Sequence, residues 1–290
     1  MSKLAAKDKF LDLSDYGRSF GRFFAHQLKN TCFTPIHVTL LFGLTGLIAI
    51  YCILNNHYFF AGFFILLKSG IDAADGELAR LKKTPSYSGR YLDSVFDIVL
   101  NFMFLMAICY VSITSIWFTF LAFIGIQLQG TLYNYYYVIL RNKSVGGDST
   151  SKIFEYKTPK ALPGESQHSV DILFRIYTLA YGAFDKIIHV LDQQAYKVKN
   201  FPNWFMTLLS LYGLGFQLLI IAVMLPMGWI ELIVPFFITY TVLFFLLIGI
   251  LYFFSIFHLY GNLQNQNKIE HYIFWRFRLL HEWTQDCGLL

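Results

Sequence analysis

The sequence predicts an all-α integral membrane protein: a bundle of six transmembrane helices with an amphipathic, interfacial helix at the N-terminus. The first indication is composition, since the 290 residues are 56% hydrophobic and only 14% charged, with a mean hydropathy of +0.49, well above the values of soluble domains. The second is the recurrence of apolar runs of about 18 or more residues, which are long enough to cross a hydrocarbon core of about 30 Å.

The elements follow in order along the chain. In the first thirty residues, apolar side chains recur at helical spacing opposite Arg18, Arg22 and Lys29, which predicts a helix that lies in the headgroup plane or packs on the bundle. The predicted spans are His37 to Asn55, Tyr58 to Leu78, Tyr91 to Ser112, Ile116 to Val138, Trp204 to Met224 and Leu232 to Phe254. The predicted regions are an interfacial segment 1–33, a membrane domain 34–260 with a cytoplasmic insertion 141–203, and a cytoplasmic tail 261–290.

Orientation follows from the cations, because Lys and Arg are retained on the cytoplasmic side during insertion. They occur before the first span, in alternate connections and in the tail, whereas the other connections contain none. Both termini and the segment 72–97 are therefore predicted to face the cytoplasm. The formal net charge of +5 is explained by this distribution and by contact with anionic headgroups, so a nucleic-acid partner is not indicated.

The insertion is predicted to contain one helix that Ser169 caps, with an apolar stripe from Val170 to Leu191. It is not predicted to be a seventh span, because its charged residues leave too short an uncharged run. Those residues are Asp171, Arg175, Asp185 and Lys186.

Four carboxylates stand where the flanking sequence is apolar. Asp72 and Asp75 are three residues apart near the end of the second span, and Asp93 and Asp97 are four apart near the start of the third. A short turn joins these spans, and Asp72 and Asp97 are each about 12 Å above that turn by helical rise. The four carboxylates are therefore predicted to converge at one level.

Four like charges in a partly dehydrated site require neutralisation. Protonation is one solution, but oxygen-only ligands suit hard divalent cations, and two Mg²⁺ ions would balance four carboxylates. Paired metal ions stabilise displacement at phosphorus, which indicates phosphoryl chemistry. Gly76 and Ala79 would leave room for a substrate near the backbone, and Arg80 could hold a phosphate oxygen.

The segment resembles the CDP-alcohol phosphatidyltransferase family, because it reproduces the pattern D-x2-D-G-x2-A-R-x8-G-x3-D-x3-D with every gap intact. The matching residues are Asp72, Asp75, Gly76, Ala79, Arg80, Gly89, Asp93 and Asp97. The stretch "TPIHVT" at 34–39 resembles the family's T-P-N-x-x-T entry to the first span, with Ile36 in place of Asn.

The resemblance implies a role for each motif residue. Asp72, Asp75 and Asp93 would ligate two divalent cations, Mg²⁺ or Mn²⁺, and Asp97 would act as the base while also touching a metal. Gly76, Ala79 and Gly89 would line the cytidine nucleotide, and Arg80 would contact its phosphates.

The implied reaction is attack of an alcohol on the β-phosphorus of a CDP-linked substrate with release of CMP, in a homodimer. The donor could be CDP-diacylglycerol with a polar alcohol as acceptor, or CDP-ethanolamine or CDP-choline with a lipid alcohol. Ile98 stands where members with phosphorylated acceptors commonly carry a cation. This argues against such an acceptor, although Lys68, Arg90 or the insertion could supply the charge instead.

Other polar residues near the predicted spans have two interpretations, pocket polarity or helix packing. They are Lys68, Ser69, Asn101, Gln127, Thr131 and Asn134. Lys82, Lys83 and Arg90 are interpreted as interfacial cations that could contact a substrate phosphate. The alternatives to an enzyme are a transporter or channel that uses intramembrane carboxylates, and an inactive scaffold. A transporter would not explain why Gly76, Ala79, Arg80 and Gly89 accompany the acids.

Overall fold

The computed structural model describes residues 4, 8–144, 150–152, 155, 157–192, 195–197 and 201–263. It divides into two units, Met1–Thr241 and Val242–Leu290, and the helix packing and the candidate site described below lie in the first. Within the described ranges the chain is helical and has no strand. The α-helices are α1 Arg18–Leu28, α2 Pro35–Leu54, α3 Tyr58–Lys82, α4 Tyr87–Ser112, α5 Ile116–Ser144, α6 Gln167–Leu191, α7 Asn203–Ser210, α8 Leu214–Met224 and α9 Ile230–Leu263. Two short 3-10 helices lie at Leu13–Asp15 and Ala195–Lys197.

The helices that carry the acidic motif begin and end at recognisable signals. Thr34 caps α2, because its hydroxyl accepts a hydrogen bond from the His37 amide at 3.3 Å, and Pro35 occupies the first turn. The helix α3 ends at Lys82, and the C-cap residue Lys83 has a left-handed φ of 55°. Ser86 then caps α4 by accepting a hydrogen bond from the Gly89 amide at 2.7 Å. The turn between α3 and α4 is therefore short, and the two helices run in opposite directions.

The core of the bundle is formed by buried apolar side chains from α2, α3, α4 and α8, with further ones from α1, α5 and the start of α9. The helix α2 packs against both α3 and α4, and α8 packs against α3. At the α3–α8 crossing Gly62 permits close approach, since an added Cβ would lie 2.4 Å from the carbonyl oxygen of Ala222. Small residues at helix crossings are typical of membrane bundles.

The outer surface is consistent with an integral membrane protein. On α2, Leu40, Leu44 and Leu47 are 50%, 55% and 47% exposed, an apolar face that lipid would cover. Three described helices, α2, α4 and α5, are long and apolar enough to span a membrane, and a bent pair, α7 with α8, could form a fourth span with a 45° bend.

The six predicted spans all fall on helices, but the count of six is not confirmed. The helix α3 has sufficient length, yet it carries the charged residues of the acidic motif together with Lys68, so it is not among the three apolar helices. The side chains of α9 are described only to Leu246, which leaves a shorter apolar helix. The predicted orientation stays a prediction, and the predicted tail lies outside the described residues after Leu263.

The N-terminal helix and the insertion differ in detail from their predictions. The helix α1 starts only at Arg18 and packs on α3 through buried Gly21 and Ala25, while Phe20 and Phe23 remain exposed. Its location in the headgroup plane stays a prediction. The prediction of Ser169 as a helix cap was wrong, because α6 begins at Gln167 with Ser166 at the N-cap position.

Candidate active site

Three of the four aspartates come together between α3 and α4. One carboxylate oxygen from each of Asp72, Asp75 and Asp93 lies within 4.8 Å of the others. Helical spacing explains the first two, since residues three apart share one side of a helix. The third arrives from α4 because the short turn sets Asp93 at a similar distance from the connection. The predicted convergence is therefore present for three carboxylates.

In this carboxylate cluster, one oxygen accepts a hydrogen bond from a neutral side chain and another has no hydrogen-bond partner among the described residues. The Thr39 hydroxyl on α2 donates a hydrogen bond of 2.8 Å to Oδ2 of buried Asp75. Oδ1 of Asp93 is buried without a hydrogen-bond partner among the described residues. An unpaired carboxylate oxygen in such a place is costly, and a bound cation would satisfy it.

The fourth aspartate, Asp97, is outside this three-carboxylate group. Its Oδ1 contacts Nζ of Lys68, whose side chain has no exposed surface. The same Nζ lies 3.4 Å from Oδ2 of Asp72 and 4.7 Å from the ring centre of Phe42. The buried ammonium therefore joins Asp97 to the edge of the carboxylate cluster. The role of Asp97 as a metal ligand stays a prediction.

A cavity of about 960 Å³ opens beside the cluster, and all eight motif residues line it. At Gly76 an added Cβ would meet, apart from its own helix backbone, only Nη1 of Arg80 among the described residues within 4 Å, at 3.6 Å. The glycine therefore leaves open space next to the guanidinium. Arg80 also donates a hydrogen bond of 2.6 Å to buried Glu77. Gly89 lies in the first turn of α4, against the Ser86 cap.

The insertion forms one wall of the same cavity, which the sequence did not indicate. Glu155 accepts hydrogen bonds from Arg90 at 2.8 Å and from the Tyr91 hydroxyl at 2.5 Å. On α6, the hydroxyl of Tyr181 donates to the carbonyl oxygen of Ser94 at 3.1 Å. Contacts so distant in sequence leave no local pattern, and only the acidic residues of the insertion could have suggested them.

Glu165 attaches the insertion to the start of α4. Its carboxylate accepts hydrogen bonds from the Ser86 hydroxyl at 2.7 Å and from the amides of Tyr87 and Ser88 at 3.1 and 2.8 Å. Burial raises the pKa of Glu165, but these hydrogen bonds outweigh burial, and the pKa is lowered overall. The negative charge also lies at a helix N-terminus, where it is favourable.

The weaker candidates separate into two groups. Asn101, Gln127, Thr131, Asn134 and Ser69 all line the cavity, which supports the pocket interpretation. Lys82 instead donates hydrogen bonds of 2.7 Å to the carbonyl oxygens of Thr31 and Phe33, and Arg90 is paired with Glu155. These two cations have structural partners; Arg90 also lines the cavity, as does Lys83.

The donor set fits a divalent cation of the Mg²⁺ or Mn²⁺ type. Asp72, Asp75 and Asp93 supply oxygen ligands only, which hard divalent cations prefer, and the orphaned Asp93 oxygen provides an unused ligand. The fold and the site thus define a class: a helical membrane protein whose polar cavity holds a carboxylate cluster suited to divalent cations.

A comparison with models of known protein families finds a match within that class. The model of the CDP-alcohol phosphatidyltransferase family matches residues 32–160, a segment that includes all eight motif residues. This segment is similar to that family, which consists of membrane transferases of phospholipid biosynthesis. The resemblance inferred from the motif is therefore confirmed, and the transporter alternative is not favoured. A comparison with curated proteins finds no match.

Proposed function

We propose that this protein transfers a substituted phosphate from a CDP-linked donor to an alcohol, and thereby forms a phospholipid phosphodiester and releases CMP. The observation that carries the proposal is the gathering of three motif aspartates in a cavity that all eight motif residues line. The donor is either CDP-diacylglycerol, with a polar alcohol as acceptor, or a CDP-ethanolamine or CDP-choline type of compound, with a lipid alcohol as acceptor.

Each side chain has a role in this proposal. Asp72, Asp75 and Asp93 hold the divalent cations, which supply positive charge to offset the diphosphate. Arg80, next to the open space at Gly76, contacts the phosphates of the donor. Ala79 and Gly89 line the nucleotide. The proposal includes two cations, a homodimer and a cytoplasmic site, as the family resemblance implies.

Asp97 is proposed as the general base. It accepts the proton of the acceptor hydroxyl while the hydroxyl oxygen forms a bond to the β-phosphorus and the bond from that phosphorus to the CMP oxygen breaks. Lys68 contacts the Asp97 carboxylate and holds its orientation. CMP departs with the electron pair of the broken bond, so atoms and charge balance without a further reactant.

The test is release of CMP by the purified protein in detergent. CDP-diacylglycerol, CDP-ethanolamine and CDP-choline are each supplied with Mg²⁺ or Mn²⁺ and candidate alcohols, and lipid products are identified by mass spectrometry. Asp97→Asn should reduce turnover by about 10²-fold or more. Asp171→Asn is the matched control, since Asp171 accepts a hydrogen bond from Gln167 on the insertion and is not among the described residues that line the cavity. Equal turnover by the two variants would exclude Asp97 as the base, and no CMP release from any donor would refute the function.

A further inference from the structure

Beyond the acidic motif, the cavity contains four uncharged polar side chains, each with one polar atom that lacks a hydrogen-bond partner among the described residues. They are Asn101 on α4, Gln127 and Thr131 on α5 and Gln217 on α8, and we call them the polar floor. Their exposed fractions are 5%, 5%, 6% and 1%, respectively. Within the described part of the chain, one atom of each has no hydrogen bond: Oδ1 of Asn101, Nε2 of Gln127, Oγ1 of Thr131 and Oε1 of Gln217.

Helix geometry places three of these residues, those on α4 and α5, within about one helical turn of the level of Asp97. The helices α4 and α5 are joined by a short turn between Ser112 and Ile116. Asn101 and Gln127 are each roughly 16 Å from that turn by helical rise, and Asp97 and Thr131 are each roughly 22 Å from it. Asn101 also follows Asp97 by four residues on the same side of α4. The polar floor therefore begins at the level of Asp97 and continues one helical turn away from the metal cluster.

Gln217 is fixed against α5 by its own amide. Its Nε2 donates hydrogen bonds of 3.2 Å to the carbonyl oxygen of Ile126 and 3.0 Å to Oε1 of Gln129. This arrangement leaves Oε1 of Gln217 as the unpartnered atom. A buried polar atom without a partner costs about 1–3 kcal/mol, so a set of four in one cavity indicates that a polar ligand or water occupies this space.

The chemistry of the polar floor selects the ligand. It combines an amide N–H group that donates hydrogen bonds, carbonyl oxygens that accept them, and a hydroxyl that can donate and accept. Alcohol groups match such a set, because each hydroxyl both donates and accepts hydrogen bonds. None of the four is charged. The guanidinium groups that line the cavity, such as Arg90 and Arg141, lie roughly 10 Å or more from Asp97 and Thr131 along their helices, toward the opposite end.

We propose that the polar floor binds the acceptor of the reaction, and that the acceptor is a small uncharged alcohol with several hydroxyl groups. This inference rests on the proposed function. One hydroxyl gives its proton to Asp97 as its oxygen bonds to phosphorus, and the remaining hydroxyls are held by Asn101, Gln127 and Gln217. Because such an acceptor carries no lipid, the CDP-linked donor is the lipid substrate, of the CDP-diacylglycerol type.

The experiment supplies CDP-diacylglycerol and Mg²⁺ together with one acceptor at a time: glycerol, inositol, their monophosphates, serine or ethanolamine. In parallel, CDP-choline is supplied with diacylglycerol. We expect transfer to an unphosphorylated polyol. Asn101→Leu and Gln127→Leu should each raise the KM for that polyol by about tenfold or more, with little change in the KM for the donor.

A binding measurement complements the kinetics. Thermal stabilisation of the protein by the polyol, in the presence of Mg²⁺ and CMP, should be lost in both variants. Gln27→Leu, an exposed substitution on α1, is the control and should leave stabilisation and turnover intact.

The outcomes separate this inference from the proposed function. Transfer only to phosphorylated polyols, to amino alcohols or to diacylglycerol would overturn the inference and leave the function standing, as would an unchanged acceptor KM in both variants. If no donor releases CMP, the proposed function fails and the inference fails with it.

Discussion

Lys68 gives the sharpest test of the electrostatics of the site. Its ammonium is buried, contacts Asp97 and lies 3.4 Å from Oδ2 of Asp72. At an effective dielectric constant of 20, an ion pair at 3.4 Å is worth about 5 kcal/mol. Removal of one member of a buried pair is expected to cost about 3–5 kcal/mol, because the other charge is left uncompensated. Lys68→Met should therefore destabilise the metal-free protein by a similar amount.

The assay is thermal unfolding of detergent-solubilised protein in EDTA, repeated with Mg²⁺ added. A loss of 3–5 kcal/mol corresponds to a fall in Tm of about 6–20 °C for a chain of this size. Because a divalent cation restores positive charge near the carboxylates, Mg²⁺ should raise the Tm of Lys68→Met more than that of the unchanged protein.

Lys82→Met is the matched control. It removes an ammonium that bonds two backbone carbonyls at an exposed position, where each hydrogen bond contributes about 1 kcal/mol. If the two variants lose the same stability in EDTA, Lys68 does not compensate the buried carboxylates, and the reasoning about Asp97 is refuted.

Three further predictions concern the insertion and the core. Burial raises the pKa of Asp185 to about 6, although the Tyr177 hydroxyl hydrogen bond opposes this. Ionisation of Asp185 therefore destabilises the fold at neutral pH. Asp185→Asn should stabilise the fold by up to about 3 kcal/mol at pH 8 and should have no effect below about pH 4. Denaturation measured across this pH range tests the prediction. Glu165 has a lowered pKa in the folded protein. Its carboxylate therefore stabilises the fold at pH values above the unfolded-state pKa of about 4.5. This stabilisation is lost as the pH falls through the folded-state pKa. Glu165→Gln should cost about 1–2 kcal/mol at pH 7, with the difference from the unchanged protein vanishing in acid; a difference that is constant with pH would contradict the assignment. Gly62→Ala should cost about 1–3 kcal/mol of stability, because the new methyl group meets the Ala222 carbonyl oxygen, whereas Gly130→Ala, with nothing within 4 Å of the added Cβ, should not lower the Tm.

The sequence predicted the acidic site well because its information is local. The gaps between Asp72, Asp75 and Asp93 are set by helical period and by one short turn, so their convergence follows from spacing alone. The positions of the helices were also predictable, since apolar runs are long. The span count was harder, because the residues that make α3 functional also lower its hydropathy.

The parts that sequence reasoning missed depend on long-range contacts. Lys68 precedes Asp72 by one helical turn, and nothing in that spacing shows that its ammonium reaches Asp97 on the next helix. Likewise, Glu155 and Glu165 bind the start of α4 from a loop more than sixty residues away. Thr39 was visible as the last residue of "TPIHVT", but its bond to Asp75 could be found only from the structure.

The charges in the site also bear on how many cations bind at each stage. Lys68 compensates one of the four motif carboxylates, which leaves three negative charges on the gathered cluster. One divalent cation reduces that charge to a single negative unit, and a second would leave an uncompensated positive charge in a buried site. The diphosphate of a bound donor adds negative charge, which would compensate the positive charge of the second cation. We therefore expect one Mn²⁺ to bind tightly to the free protein and a second to bind only with a CDP-alcohol, as measured by Mn²⁺ titration with and without the nucleotide. Tight binding of two Mn²⁺ ions without nucleotide would show that Lys68 does not offset the charge of Asp97.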